Sequence, residues 1–177
     1  MLTVTLTPPL LSALIVFFAP IGSLDRPNEI AQISVDELNN GYIQWMDHHP
    51  SAFPPGSKNT ILLPSLDIYS PGGISVYHGE DAAKNAAFIR GLPGSIASAK
   101  AGSPRPTLQE AMEMIPEFKG RHRVAQAGAQ YTLFAVTWAD WDHCKPQNDA
   151  VAELRKRSRE TGVRIIEVRL REVRLRQ

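Results

Sequence analysis

The sequence is short of several features that define common classes of protein. Its 177 residues include one cysteine, which excludes an internal disulfide framework and a zinc site made of cysteines alone. The formal net charge is only +1, which excludes a generally basic nucleic-acid binder. There is no internal repeat and no glycine-rich phosphate loop. With 43% hydrophobic and 21% charged residues, the composition predicts one ordinary globular domain.

The charge is distributed unevenly along the chain. Residues 155–177 carry nine Arg or Lys and three Glu, whereas the first 154 residues carry ten basic and fifteen acidic side chains. A basic end on an acidic body can dock an acidic partner, an anionic lipid or nucleic acid. We favour the simpler interpretation of a solvated helix face followed by a solvated strand edge, so no nucleic-acid partner is expected.

The N-terminal segment is uncharged as far as Leu24 and contains the apolar run LLSALIVFFA at Leu10–Ala19. This run is too short to span a bilayer but has the length of the apolar region of a signal peptide. We therefore predict an export signal over residues 1–23 and a periplasmic or otherwise extracytoplasmic location. An uncleaved membrane anchor and a buried strand are the alternatives.

Capping and turn signals divide the middle of the chain. Residues 24–60 are predicted to hold a helix and a linker, because Ser34 and Glu37 have capping-box spacing and the proline-rich stretch 50–60 is typical of a linker. From residue 61 the pattern changes to short β-rich runs. The elements predicted there are a hairpin from Ser65–Tyr69 and Ile74–His78, a helix at Glu80–Arg90, and a short helix opened by Thr107 and Glu110 and closed by Pro116.

The last third of the chain predicts a βαβ unit. Tyr131–Trp138 is typical of a strand buried on both faces, Pro146 begins a helix that stops at Gly162, and Val163–Leu170 is a second strand. Such strands lie parallel with a right-handed crossover. The fold class predicted is therefore α/β, or α+β, around a mixed sheet flanked by helices. Arg alternates with apolar residues after Glu167, which favours a half-exposed edge strand.

Cys144 is the strongest candidate for chemistry because it lies where the buried strand meets the helix. The N–H groups at a helix start stabilise a thiolate, and Lys145 and a protonated His143 add to this effect. We favour a reactive thiol over a small packed hydrophobic residue. No cofactor is expected. No metal is expected either, because the consecutive acidic, His and Cys side chains at 140–144 rarely supply a tetrahedral set.

The segment YTLFAVTWADWDHCKPQNDAVAEL resembles the active-site segment of thioredoxin-like proteins, particularly exported thiol–disulfide oxidoreductases. Trp138 and Trp141 match the family's tryptophan pair, and Cys144-Lys145-Pro146-Gln147 falls in register with its Cys-x-Pro-Cys motif. The hairpin at 65–78 is similar to a β-element that precedes the first core strand in that group. The resemblance implies a thioredoxin-like domain over 61–177, with an insertion at about 81–130.

Three departures change what the resemblance implies. Asp142 and His143 are extra residues before the cysteine, and Gln147 stands in place of the second cysteine, so no intramolecular disulfide can form. The family also has a cis-proline, a last hairpin and a last helix beyond its βαβ unit, and no proline follows Pro146 here. We therefore expect a fold that is incomplete at its C-terminus, with an unpaired sheet edge.

Monothiol redox chemistry is the function that the resemblance implies. Cys144 would attack a disulfide or peroxide, giving a mixed disulfide or a sulfenic acid that an external thiol resolves. Lys145 would stabilise the thiolate, His143 would shuttle a proton, and Trp138 and Trp141 would surround the site. The expected partner is a protein thiol or disulfide, or a low-molecular-weight thiol.

Two alternatives remain open. One is a non-catalytic thioredoxin-like module that binds a protein partner through its exposed edge or basic tail. The other is a homodimer, linked through Cys144 or through an exposed sheet edge.

Overall fold

The computed structural model describes residues 29–49, 63–99, 105–120, 129–138 and 140–171. Within these ranges no helix is long and apolar enough to span a bilayer. The predicted export signal at 1–23, the linker at 50–60 and the basic residues beyond Arg171 lie outside the described residues. The strands are β1 (Glu29–Ser34), β2 (Ser65–Tyr69), β3 (Ser75–Gly79), β4 (Tyr131–Trp138) and β5 (Val163–Arg171). The helices are α1 (Val35–His48), α2 (Ala82–Arg90), α3 (Leu108–Glu113), α4 (Lys145–Lys156) and α5 (Ser158–Thr161).

The five strands form one mixed sheet in the order β1-β5-β4-β2-β3. β4 and β5 lie side by side and parallel, with Tyr131 opposite Val163 and Trp138 opposite Leu170, as the predicted βαβ unit requires. β1 is parallel to β5 on its other side. β2 is antiparallel to both β4 and β3. The predicted α/β class, with a mixed sheet flanked by helices, is confirmed at this level.

Helices cover both faces of the sheet because each interior strand has apolar side chains on both of its faces. On the face that we call the α1/α3 face, strand residues such as Phe134 and Ile166 pack with Leu38 of α1 and Leu108 of α3. On the opposite, α2/α4 face, the strand residues Leu66, Ile68, Leu133, Ala135 and Ile165 pack with Ala86 and Ile89 of α2 and with Ala150, Val151 and Leu154 of α4. The domain therefore has two apolar layers separated by the sheet.

Both predicted capping boxes begin helices. The Ser34 hydroxyl accepts a hydrogen bond from the Glu37 N–H (3.2 Å), and the Glu37 carboxylate accepts one from the Ser34 N–H (2.7 Å). Thr107 and Glu110 make the same pair of bonds at the start of α3. Each pair satisfies donors that a helix start leaves without intrahelical partners.

The strand β1 was missed in the sequence analysis, which assigned residues 24–60 to a helix and a linker. Glu29–Ser34 pairs with β5 over its whole length, and Ala31 and Ile33 are buried on the α1/α3 face. β5 is consequently an interior strand, so the prediction of a half-exposed edge strand there is wrong. The alternation of Arg with apolar residues has another cause, since Arg169 binds the buried carboxylate of Glu167 on the same strand.

The unpaired edge expected beside the βαβ unit is also not found, because the hairpin β2–β3 lies against β4. The peptide bonds Leu63–Pro64 and Leu92–Pro93 are both cis, so prolines in this conformation occur upstream of Cys144 rather than after Pro146. Helices α2 and α3, which the resemblance assigned to an insertion, pack on opposite faces of the sheet.

Candidate functional site

Cys144 ends a short 3₁₀ helix (Asp142–Cys144) that connects β4 to α4, and α4 begins at the next residue. This is the strand–helix junction that the sequence predicted. The Cys144 N–H donates a hydrogen bond to the Trp141 carbonyl oxygen (2.8 Å). The side chain is a free thiol with none of its surface exposed. A nucleophilic thiol has to be reached by its substrate, so the burial of Cys144 fits the packed-residue interpretation better than the reactive one.

Gln147, which stands in place of the second cysteine, is fully buried and lies at the centre of a hydrogen-bond network. Its amide oxygen accepts a bond from Asn85 Nδ2 of α2 (2.6 Å). Its Nε2 donates to the carbonyl oxygens of Ser65 on β2 (3.2 Å) and Val136 on β4 (3.5 Å). Asn85 Nδ2 also donates to the Gly79 carbonyl oxygen (3.1 Å). Gln147 therefore connects α4 to α2 and to two strands, which is a structural role.

Of the side chains predicted to form the site with the cysteine, Trp141 and His143 are exposed, whereas Trp138 is partly buried and packs against the core of the α1/α3 face. Trp141 is 46% exposed, and its ring contacts those of Trp138 (centroids 6.2 Å apart, edge to face) and His143 (5.1 Å). His143 is exposed and lies within electrostatic range of Asp81 at the start of α2. The structure thus brings Trp138, Trp141 and His143 together, and we call these three side chains the aromatic patch.

Lys145, which the sequence analysis expected to stabilise the thiolate, forms an ion pair along α4. Its Nζ lies 2.9 Å from Asp149 Oδ2, one turn along α4, and both side chains are more than half exposed. The hydrogen bond and the charge of Asp149 raise the pKa of the Lys145 ammonium group. Pro146 occupies the first turn of α4, where its missing N–H costs no intrahelical bond, as predicted.

A second group of polar side chains, not found in the sequence analysis, lies on the α1/α3 face beside the hairpin. His78 Nδ1 lies 3.0 Å from Asp67 Oδ1, and His78 Nε2 lies 3.0 Å from Glu80 Oε1. An Arg105 guanidinium nitrogen lies 3.7 Å from the same Glu80 oxygen. Asp67 and His78 are directly opposed in the antiparallel register of β2 and β3. A hairpin predicted with its correct register would have shown this pair from the sequence.

The electrostatics of His78 result from a balance between burial and its two carboxylate partners. Burial lowers the pKa of the imidazole, but its hydrogen bonds to Asp67 and Glu80 and the charge of Asp67 outweigh this effect and raise the pKa above the ordinary value of 6.5. With His78 protonated, both ring nitrogens donate, and each carboxylate receives one bond. In its protonated form the ring bridges the two acids, and neither nitrogen is then left to act as a base.

These side chains line a cleft that we call the hairpin cavity, bounded by β2, β3, α1 and α3. Its volume is ≈ 70 Å³. The hydroxyl of Tyr69, a fully buried residue in its wall, has no hydrogen-bond partner among the described residues. Burial, reinforced by the charge of Asp67, raises the pKa of Tyr69 well above 10.0, so the hydroxyl keeps its proton.

Within the described ranges, no three His, Cys, Asp or Glu side chains are grouped so as to hold a metal ion. Comparisons of the chain with protein-family models, with curated proteins and with solved structures found no significant match.

Proposed function

We propose that this chain is a thioredoxin-like module that binds a protein partner at the start of α4 and has no thiol–disulfide activity of its own. The observation that carries the proposal is the state of the two motif positions. Cys144 is fully buried, and Gln147 is held by three hydrogen bonds inside the domain. Gln147 connects elements of the domain, and neither side chain is exposed to a substrate.

The arrangement of elements around the βαβ unit supports the thioredoxin-like part of the proposal. The family has a hairpin and a helix after its βαβ unit. Here the hairpin β2–β3 and helix α2 precede the unit in the chain but flank it in space, since β2 pairs with β4 and Asn85 of α2 bonds to Gln147 of α4. We infer that these elements fill the places of the family's last hairpin and helix, with a different order of connection.

Chemistry argues against turnover at this site. Reduction of a protein disulfide by a dithiol needs a second thiol to release the mixed disulfide, and the chain has one cysteine. A monothiol mechanism still needs an accessible thiolate, whereas the Cys144 side chain has no exposed surface. Lys145, the nearest expected cation, is paired with Asp149 at the surface.

The aromatic patch supports the binding part of the proposal. Trp141 has nearly half of its surface exposed although it is one of the largest apolar side chains, and its ring contacts those of Trp138 and His143. Tryptophan is enriched among the residues that contribute most to protein–protein affinity. The partner is therefore expected to be a protein that presents an apolar side chain to Trp141.

Alkylation of Cys144 tests the first part of the proposal. The reduced, full-length protein is treated with a thiol reagent near neutral pH, folded and in denaturant, and labelling is followed by mass spectrometry. We expect labelling in the folded state to be at least ~100-fold slower than in the unfolded chain, because the thiol is reached only through opening of the domain. Rapid labelling of the folded protein at or below neutral pH would refute the proposal in favour of a monothiol enzyme.

Affinity capture from the cells that produce the protein tests the second part. The wild-type chain is compared with Trp141→Ala and with Ile43→Ala, an exposed apolar residue on α1 that serves as the matched control. We expect one protein to be retained by the wild type and Ile43→Ala and lost with Trp141→Ala, and purified components should reproduce the loss. Equal retention by all three chains would contradict the assignment of the surface.

A further inference from the structure

We propose that the hairpin cavity is a binding site for a small carboxylate that carries a short apolar body. The site is separate from the aromatic patch, and the inference does not depend on the proposed function. It is based on three features of the described residues: donors that lack acceptors, acidic groups that are already neutralised, and an apolar wall.

Two hydrogen-bond donors of the cavity lack partners among the described residues. One is the hydroxyl of Tyr69, which is fully buried, and the other is the buried Nε–H of Arg105. Both residues line the cavity. An arginine Nε–H can only donate, and a buried donor without an acceptor is costly. The missing group is therefore an acceptor, and a carboxylate next to a guanidinium is the strongest ordinary one.

The acidic side chains of the cavity do not oppose this choice, because Arg105 and protonated His78 together balance their two charges. Asp67 and Glu80 each accept one bond from the imidazole ring, and Arg105 faces Glu80 at 3.7 Å. With His78 protonated, the four side chains have no net charge. An entering cation would meet a guanidinium and an imidazolium, and it would leave the two donors unsatisfied. A carboxylate has two acceptor oxygens, one for each donor.

The remainder of the wall sets the character of the ligand's body. It consists mainly of apolar side chains from α1, α3, the segments on either side of α3, and β4, which are Leu38, Pro106, Ala111, Met114, Ile115, Phe134 and Val136. The cavity volume of ≈ 70 Å³ is well below the ~300–1,000 Å³ of sites for drug-sized ligands, so only a small ligand can enter. A short branched aliphatic body matches such a space best.

Titration of the full-length protein with three probes of the same shape tests the chemical class. The probes are 3-methylbutanoate, 3-methylbutanamide and 3-methylbutylamine, with acetate as a smaller carboxylate, and binding is followed by calorimetry and ligand-observed NMR. We expect the two carboxylates to bind and the amide to bind at least about tenfold more weakly. The reason is that a hydrogen bond from a charged donor is stronger when the acceptor is also charged. The amine should not bind.

Two substitutions locate the site. Tyr69→Phe removes one oxygen and keeps the ring that packs edge to face on Phe134, so the fold is retained; it should weaken carboxylate binding about tenfold. Arg105→Gln should weaken it by more than tenfold, because the guanidinium charge is also lost. Tyr131→Phe, on the α2/α4 face, and Arg90→Gln, an exposed residue of α2, are matched controls and should bind as the wild type does.

Several results would overturn the inference. One is the absence of binding by both carboxylates at millimolar concentration. A second is equal binding of the amide or the amine, and a third is unchanged affinity in Tyr69→Phe, which would place any bound carboxylate elsewhere. Failure of these tests would leave the alkylation of Cys144 and the capture through Trp141 unaffected, because neither measurement involves the cavity.

Discussion

Replacement of Gln147 by leucine tests whether this position has become a structural element of the domain. Leucine has a similar volume, so Gln147→Leu changes hydrogen bonding far more than packing. The Asn85 amide loses the acceptor at 2.6 Å, and the Ser65 carbonyl oxygen loses the donor at 3.2 Å. The bond to the Val136 carbonyl oxygen, at 3.5 Å, is at the limit of the interaction and contributes little.

The expected cost follows from these two stronger bonds. A buried polar group left without its partner costs ~1–3 kcal/mol, and two such groups give about 2–6 kcal/mol. Leucine also removes the buried amide group of Gln147 and adds buried apolar surface. These two changes offset ~1–2 kcal/mol of the cost. We therefore expect Gln147→Leu to lower the free energy of unfolding by roughly 3 kcal/mol.

Chemical denaturation, followed by circular dichroism and tryptophan fluorescence, measures this change in the full-length protein. Gln44→Leu, at an exposed position of α1, is the matched control and should change the free energy of unfolding by less than ~0.5 kcal/mol. A double-mutant cycle with Asn85→Ala should give a coupling energy of about 1 kcal/mol or more. A loss below ~0.5 kcal/mol in Gln147→Leu, or no coupling to Asn85, would refute the structural role.

Two further predictions concern stability. Gly41→Ala should lower the free energy of unfolding by ~1–2 kcal/mol, although alanine favours a helix over glycine by ~1 kcal/mol. The reason is that a Cβ on Gly41 would lie 2.5 Å from the Met114 carbonyl oxygen. Asn40 is exposed on the same helix, so Asn40→Ala is the control, and its stability should not fall in the same urea titration. For His78, the raised pKa means that its ion pairs contribute fully below the unfolded value of 6.5 and that this contribution is lost as pH rises through the folded value. Urea titrations between about pH 5.5 and 8.5 should therefore show a smaller decline in stability for His78→Gln than for the wild type or His48→Gln, and parallel curves for all three would contradict the proposed bridge.

The sequence predicted elements whose signals are local. The capping boxes at Ser34 and Thr107 each involve residues three positions apart, so their geometry follows from helix formation itself. The apolar run at Tyr131–Trp138 likewise predicted a strand buried on both faces, and β4 lies in the interior of the sheet. The position of Cys144 at the start of α4 follows from the same local pattern.

The sequence did not reveal contacts between distant parts of the chain. Strand β1 is short, and its partner β5 lies more than a hundred residues further on, so its pairing left no local signal. Because β1 was not predicted, the alternation of Arg with apolar residues in β5 was interpreted as the pattern of an edge strand. The burial of Cys144 is also a property of the assembled domain, because a helix-start cysteine is equally compatible with an exposed or a packed thiol.

By itself, then, the sequence determined the helices, the hairpin and the parallel βαβ unit, because capping, turns and apolar periodicity act over a few residues. The tertiary structure decided what the motif residues do. Gln147 bonds to Asn85, 62 positions away, and to Ser65, 82 positions away. The hairpin cavity likewise depends on Arg105 and the helices being brought to the hairpin. Such contacts form only when the chain closes long loops, and no local pattern encodes which distant residues will meet.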